Sequence, residues 1–322
     1  MSQIERIAIL GANSQIALDY IESSLENSKK ELYLFSRNPI ALKNLVDIKC
    51  ISRFEFLGYD QFGLDTYDLI INFVGGSDPV LIASMGKDIF TITDHYDDLA
   101  ISYLKKNNQC KYIFISSGAA YGDVFSIAPA SELTKSNFNF NNLSSADYYG
   151  AAKYIAERRH RALSELYIVD IRIFSYISKR QNLDSKLFLP QVIKSIKNKT
   201  EFLTSDEELW RDYIGPDDLY ALIGCVSVDL KINDSLDFFT RAPISKGQIL
   251  DMCRNELGLK VVLFEKLDSK LIESGKKFYF SENRAASTLG YCPKYDSANL
   301  IRLEILHHIQ RINTGSKHGG GD

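Results

Sequence analysis

Tyr149 and Lys153 stand four residues apart in Tyr149-Gly150-Ala151-Ala152-Lys153, a segment that reads as helix on through Ile155, Ala156 and Glu157. That spacing puts both side chains on one helical face. An ammonium beside a phenol favours the phenolate, drawing the tyrosine pKa down from about 10 toward the working pH, where it can give or take a proton. Upstream, Lys111 to Ser116 is a short run of β-branched and aromatic residues that leads into Ser116-Ser117-Gly118-Ala119-Ala120-Tyr121-Gly122. Such a run reads as a buried parallel strand, and open α/β sheets place their sites at strand ends. Ser116 or Ser117 can there hydrogen-bond a substrate oxygen. A phenol, an ammonium and a hydroxyl together suit the interconversion of a carbonyl and its alcohol. The plainer reading is a solvated helix face after a turn, because a chain with 18 tyrosines meets the Tyr-x-x-x-Lys spacing by accident about once.

The elements that must position these residues begin at the N-terminus. Ile4 to Leu10 is strand-like, Gly11-Ala12-Asn13-Ser14-Gln15-Ile16-Ala17 follows, and a helix-like stretch runs to Leu25. This order presents backbone amides at a helix N-terminus to a pyrophosphate. Gly11 keeps the first glycine of a dinucleotide fingerprint, while Ser14 and Ala17 stand at the second and third. Ala17 still permits close helix packing, Ser14 adds a hydroxyl for a phosphate, and Asn13, Gln15 and Ile16 complete the candidate cofactor loop. The next strand, Glu31 to Phe35, ends in Ser36-Arg37-Asn38-Pro39 with no acid at its tip. An acid there would accept the ribose hydroxyls of NAD, whereas Arg37 pairs with a 2′-phosphate, so NADP(H) is preferred over NAD(H).

Taken together, these segments resemble the extended short-chain dehydrogenase/reductase family of NAD(P)-dependent nucleotide-sugar epimerases, dehydratases and ketoreductases, over about Ile4 to Ile312. Ser116 to Gly122 matches Ser-Ser-x-x-x-Tyr-Gly, with Ser117 at the catalytic Ser/Thr position, and Tyr149 and Lys153 fall on Tyr-x-x-x-Lys. The resemblance implies Tyr149 as general acid, Ser117 as donor to the same oxygen and Lys153 as anchor of the nicotinamide ribose. Asp68 to Gly75 resembles the strand and turn beneath the cofactor, which brings in Phe73, Val74 and Gly75. Gly58-Tyr59-Asp60 resembles the segment whose Asp, here Asp60, contacts adenine. Ser175 replaces the Asn of an Arg-x-Phe-Asn stretch that closes over nicotinamide and substrate. Trp210 to Leu219 resembles Arg-Asp-Phe-Ile-x-Val-Asp-Asp-Leu, which implies Arg211 on the substrate pyrophosphate. Arg284 precedes the family's closing turn, Leu289 to Pro293, and by the same resemblance reaches a phosphate.

Relatives that eliminate water carry Asp-Glu after the catalytic Thr. Gly118-Ala119 here disfavour dehydration. The expected activity is NADPH-dependent reduction of a nucleotide-linked keto sugar, a 4-keto-6-deoxyhexose. The alternatives are an epimerase with tightly bound NAD and a non-catalytic NADP-binding relative. A homodimer is expected by resemblance alone.

Strand signals near 4–10, 31–35, 69–74, 111–116 and 167–173 alternate with helix-like segments, which implies a parallel sheet with right-handed crossovers. The expected fold class is α/β: a Rossmann-like doubly wound parallel sheet over 1–175, a smaller mixed α/β substrate-binding lobe over 176–313, and a flexible tail over 314–322. A helix from about 217 is expected to pack back on the first lobe. The second lobe carries helix signals at Leu187 to Lys197, Lys246 to Leu257 and Glu282 to Leu289. Its strand signals lie at Thr200 to Leu203, Leu236 to Phe239 and Val261 to Phe264, and the polar run Ser131 to Ser145 reads as loop.

A chain of 322 residues with 45% apolar content can bury a sizeable core. Its net charge of −3 leaves no nucleic-acid footprint. The five cysteines are scattered, without Cys-x-x-Cys, and read as buried thiols of a reducing cytoplasm rather than metal ligands. His95 among Asp94, Asp97 and Asp98 reads as a solvated N-terminal helical turn, and Arg158-Arg159 and His307-His308 as surface charge. No apolar run reaches about 18 residues and the first 25 lack a signal-peptide core, so no membrane contact and a cytoplasmic location are expected.

Overall fold

In the computed structural model, the described residues are 6–27, 30–46, 53–75, 79–229, 232–264 and 276–315. The chain alternates β1 (Arg6–Leu10), α1 (Gln15–Asn27), β2 (Glu31–Phe35), α2 (Pro39–Lys43), β3 (Phe54–Leu57), β4 (Leu69–Asn72), α3 (Pro79–Met85), α4 (Asp88–Lys106), β5 (Lys111–Ser117), α5 (Tyr148–Ala162) and β6 (Ile168–Ile173). It continues with β7 (Ser175–Tyr176), α6 (Phe188–Asn198), β8 (Glu201–Ser205), β9 (Trp210–Arg211), β10 (Tyr213–Ile214) and α7 (Pro216–Asp229). Then follow β11 (Asp234–Asp237), β12 (Ile244–Ser245), α8 (Lys246–Leu257), β13 (Lys260–Phe264), β14 (Phe278–Tyr279) and α9 (Ser297–Gly315).

Seven strands form one sheet in the order β11-β6-β5-β4-β1-β2-β3, every pairing parallel. Strand side chains alternate between faces, and both faces are buried. Ile7, Ile9, Leu32, Leu34, Ile71, Ile113 and Ile115 pack on one side with Ile16 and Ile21 of α1 and Leu219 and Leu222 of α7. Ala8, Leu10, Tyr33, Phe35, Ile70, Tyr112 and Phe114 pack on the other with Ile101 and Leu104 of α4 and Ala156 of α5. A third cluster unites α6, α8 and α9 through Val192, Ile193, Ile249, Cys253, Ile301 and Ile305. The strand order reverses between β1 and β4, and at the carboxyl ends of the strands beside such a switch point open α/β sheets place their ligand crevice.

The segment read as a second-lobe strand at Leu236 to Phe239 is the end of β11, which follows α7 and pairs with β6 as an outer strand of the main sheet. A parallel strand after a crossover helix docks on the existing sheet edge. β3 carried no strand signal because it is a four-residue edge strand with Glu55 exposed. The helix signal at Glu282 to Leu289 reduces to one 3₁₀ turn, Ala285–Leu289, stopped by Gly290 at φ 84°. α9 reaches Gly315, so the tail expected from 314 begins inside a helix, and 316–322 lie outside the described residues. Among the described residues no helix is long and apolar enough to cross a membrane.

Several charged residues read as solvated are interior. His95 is exposed but sits in the middle of α4, while Asp97 is fully buried and accepts from His160 Nε2 at 2.8 Å and the Tyr112 hydroxyl at 2.8 Å. Arg159 pairs with Asp97 and Asp98, and His308 is buried with Nε2 3.1 Å from the Ser178 carbonyl. Helical period alone cannot say which polar face meets another element. Cys110 and Cys253 are buried, but Cys225 is half-buried and Cys292, just after the Gly290 turn, is exposed; Cys50 lies outside the described residues.

Candidate active site

The end of β1 turns sharply at Gly11, with φ +71°. A Cβ there would stand 3.0 Å from both the backbone nitrogen and Cγ2 of Val74, so only glycine lets this turn close on the end of β4. The Gly11 amide donates to the Tyr59 hydroxyl at 2.9 Å, and the Ser14 hydroxyl caps α1 by accepting from Ala17 N–H at 3.3 Å. Asn13 is exposed. Gln15 Nε2 reaches across to the Ser178 hydroxyl at 3.0 Å, while Ile16 is core and offers a ligand only its backbone.

At the end of β2, Ser36 is buried with no hydrogen-bond partner for its hydroxyl. Its neighbour Arg37 is exposed, and its charge is felt at the Tyr59 phenol. Tyr59 packs against Phe35 and Tyr96, with ring centroids 6.3 and 4.6 Å away, and Asp60 is exposed beside it. A glycine turn at one strand end and an orphaned buried hydroxyl at the next are what a dinucleotide's pyrophosphate and ribose require. Phe73 is buried against Tyr20.

Small residues bring α5 to the end of β5: a Cβ on Gly150 would lie 2.4 Å from the Ala119 carbonyl oxygen. Lys153 is thereby buried, donating to the carbonyls of Ile115 at 2.8 Å and Val74 at 3.2 Å, with Nζ 4.2 Å from the Phe114 ring centroid. Gly75 makes room, since its Cβ would stand 2.9 Å from Lys153 Nζ. Burial pulls the Lys153 pKa down to about 8, against the opposing pull of Asp97, Glu157 and Asp170.

The two serines at the end of β5 part company. Ser116 donates to Glu157 at 2.5 Å, away from the crevice, and Glu157 is also held by Arg172. Ser117 accepts from Ala119 N–H at 3.2 Å and meets the Tyr279 hydroxyl at 3.3 Å. Burial raises the Tyr149 phenol above its ordinary range, Tyr279 adds to this, and the Ser117 contact opposes it. The expectation that Lys153 lowers the Tyr149 pKa is therefore corrected. Lys153 Nζ lies 5.9 Å from the Tyr149 ring centroid and spends its protons on backbone carbonyls, so burial wins.

The remaining candidates sit farther along the chain. Ser175 is on β7, opposite Tyr213 of β10. Arg211 on β9 donates to the carbonyls of Trp210 at 2.7 Å and Lys276 at 2.8 Å, and its guanidinium lies 5.9 Å from the Tyr279 ring. Arg284 stacks 4.2 Å over Phe239 and donates to the Ser281 carbonyl at 3.0 Å. Tyr59 and Tyr279 carried no signal of their own: one precedes the chosen Asp60, and the other is one tyrosine of many in a two-residue strand. Among the described residues no group of His, Cys, Asp or Glu could hold a metal ion.

Comparison with known proteins agrees with this geometry. The NAD dependent epimerase/dehydratase family model matches residues 7–231. The fold is similar to dTDP-glucose 4,6-dehydratase from Bacillus anthracis in complex with NAD, with TM-score 0.76, 12% identity and coverage of 96% of this chain and 98% of that one. It is also similar to UDP-glucose 4-epimerase from Thermotoga maritima with UDP-glucose (TM-score 0.77, 16% identity, 95% and 99% covered). A third similar structure is UDP-glucuronic acid 4-epimerase from Bacillus cereus with NAD (TM-score 0.72, 18% identity, 95% and 99% covered). No curated protein matches at the level of sequence. At these identities the solved structures speak for the fold, while the family model, which spans most of the chain, speaks for descent: the chain belongs to the NAD dependent epimerase/dehydratase family.

Proposed function

We propose that the protein is an NADPH-dependent reductase of a nucleotide-linked keto sugar, a 4-keto-6-deoxyhexose, with Tyr149 as general acid. The observation that carries this reading is the state of Tyr149. Its phenol, pushed up by burial and by the neighbouring Tyr279, is protonated at neutral pH, as a group that must deliver a proton to a developing alkoxide has to be. The dinucleotide, when bound, supplies the hydride. Ser117 donates to the same oxygen, Lys153 holds the ribose from its buried position, and Arg211 draws the substrate pyrophosphate to the crevice mouth.

Two further features support reduction over the family's other chemistries. A Cβ on Gly118 would lie 2.3 Å from the Phe174 ring, so no acid fits directly after Ser117 to drive elimination. Arg37 at the tip of β2, with the free Ser36 hydroxyl beside it, favours a 2′-phosphorylated cofactor that is consumed as a substrate. Epimerisation with tightly held NAD is the second reading, favoured by the absence of any step the Ser117, Tyr149 and Lys153 set could not also perform in reverse. A homodimer that includes the Tyr149 helix belongs to the same proposal.

The test is consumption of NADPH, with NADH as control, against 4-keto-6-deoxy sugars carrying CDP, dTDP, GDP or UDP. Stoichiometric oxidation with one head group is expected. No oxidation, with NAD found tightly bound to the purified protein, would replace the reductase reading with the epimerase one.

A further inference from the structure

We propose that Asn72 is a positioning residue that fixes the Val74 backbone and, through the Val74 carbonyl, the ammonium of Lys153. The inference rests on the reading of Lys153 as the group that holds the cofactor ribose and adds a side chain buried in the main sheet.

Asn72 is the last residue of β4 and is buried. One residue further, the Phe73 N–H still bonds the Leu10 carbonyl of β1 at 2.9 Å. Val74 lies past this ladder, and its N–H donates instead to Asn72 Oδ1 at 2.9 Å. The other end of the Asn72 amide, Nδ2, donates to the Tyr112 hydroxyl at 2.9 Å, and Tyr112 donates to Asp97 at 2.8 Å. These directions support one another. Asp97, paired with His160 and Arg159, is a carboxylate that only accepts, so it takes the single Tyr112 proton. The Tyr112 oxygen is left to accept, and only the NH₂ of Asn72 can serve it, which turns Oδ1 to Val74.

Val74 is where this orientation matters. Its carbonyl accepts from Lys153 Nζ at 3.2 Å, while the second Lys153 acceptor, the Ile115 carbonyl at 2.8 Å, belongs to β5 and is held by the sheet. Gly75 follows at φ +129° and brings no side chain that could brace Val74 from the other side. The Val74 nitrogen also closes on the Gly11 turn, where a Cβ on Gly11 would stand 3.0 Å from it. The Asn72 amide thus holds the one backbone stretch that touches both the glycine turn after β1 and the ammonium of Lys153.

Lysine labelled with carbon-13 at Cε reports on the surroundings of its ammonium, and Lys153→Met identifies the Lys153 resonance. Asn72→Leu keeps the bulk of the side chain and removes both hydrogen bonds; Asn72→Ala takes its place should leucine not fold. Either is expected to move the Lys153 resonance. Tyr112→Phe keeps its ring, leaves the Asn72 NH₂ without its acceptor and is expected to move the resonance too, a readout that needs no change at 72. Tyr112 also touches Asp97, whose charge acts on Lys153, and the double variant separates the two routes. Without Asn72, Tyr112→Phe should move the resonance no further. A Lys153 resonance indifferent to the change at 72, one blind to Tyr112→Phe, or an equal movement with and without Asn72 would each overturn the proposal.

In fluorescence titration, Asn72→Leu should weaken NADPH binding about tenfold, one hydrogen bond expressed as an equilibrium constant, with NADH as the probe if that is what the wild type binds. In turnover, the KM for the dinucleotide should rise by a similar factor, with the KM for the keto sugar within about twofold of wild type. Unchanged dinucleotide affinity, or both KM values rising together, would make Asn72 a purely structural residue and overturn the proposal. A wild-type protein that reduces no substrate would defeat the reductase reading alone, since the resonance measurements and the titration decide the role of Asn72 without turnover.

Discussion

At the scale of single residues, the site depends on how burial sets proton affinity. Tyr149 stays protonated because burial disfavours the phenolate, and Lys153 is drawn down to about 8 because burial strips water from its ammonium against the pull of Asp97, Glu157 and Asp170. Tyr149→Phe should cut turnover by about 10²-fold to 10⁴-fold, the worth of a positioned proton donor, while NADPH affinity measured by fluorescence titration stays within about twofold. Retained turnover would remove Tyr149 from the chemistry. The pairing of Tyr149 with Lys153 and the strand end that carries Ser116 and Ser117 were legible in the sequence because a helical spacing of four and a strand end are local geometry. The direction of the Tyr149 pKa was not, because desolvation depends on what packs over the ring.

At the scale of elements, α4, α5 and β6 are joined by buried charge. His160 of α5 bridges Asp97 of α4 at 2.8 Å and Asp170 of β6 at 2.6 Å, with Arg159 on the first carboxylate and Arg161 on the second. Burial opposes charging the imidazole, but Asp170 and Asp97 outweigh it and raise its pKa to about 9. The folded value lies above the unfolded one, so the stabilisation is complete below about pH 6.5 and is lost as pH rises through about 9, on the order of 3 kcal/mol. Urea unfolding from pH 6 to 10 should show this decline in the wild type, and His160→Gln should be less stable at pH 6 with the decline flattened. A variant that kept the full slope would assign the pH dependence to another group. Element boundaries followed the same rule of locality. α8 begins at the Ser245 and Gln248 capping box and ends at left-handed Gly258, and its limits coincide with the sequence reading of Lys246 to Leu257. The turn at 285–289 has no such frame, and its helix signal did not survive packing.

At the scale of the whole molecule, the Gly11 turn with α1 and the later half of the chain are tied together. Tyr176 donates to the buried Asp19 at 3.0 Å, Arg180 lies 3.2 Å from the same carboxylate and 2.8 Å from Glu22, and Lys179 also pairs with Glu22. Burial raises the Asp19 pKa to about 6, with Ser178, Tyr176 and Arg180 opposing. Arg180→Ala would leave Asp19 short of its counter-charge and should lower stability by about 1–2 kcal/mol, a figure reduced from that of a fully buried pair because Arg180 is partly exposed. Since Gln15 of the same helix reaches Ser178, dinucleotide affinity should fall with it. Thermal unfolding and NADPH titration of the variant check both, and unchanged affinity would confine the bridge to stability.

The sequence by itself determined the alternation of strand and helix, the glycine turn after β1 and the spacing of Tyr149 and Lys153, because each is written in neighbours a few residues apart. Only the tertiary structure decided that β11 completes the main sheet, that Ser116 turns to Glu157, and that Tyr279 meets Ser117 from 162 residues away. Those outcomes rest on which surfaces lose water to each other. That is a property of packed pairs distant in sequence, and no local pattern carries it.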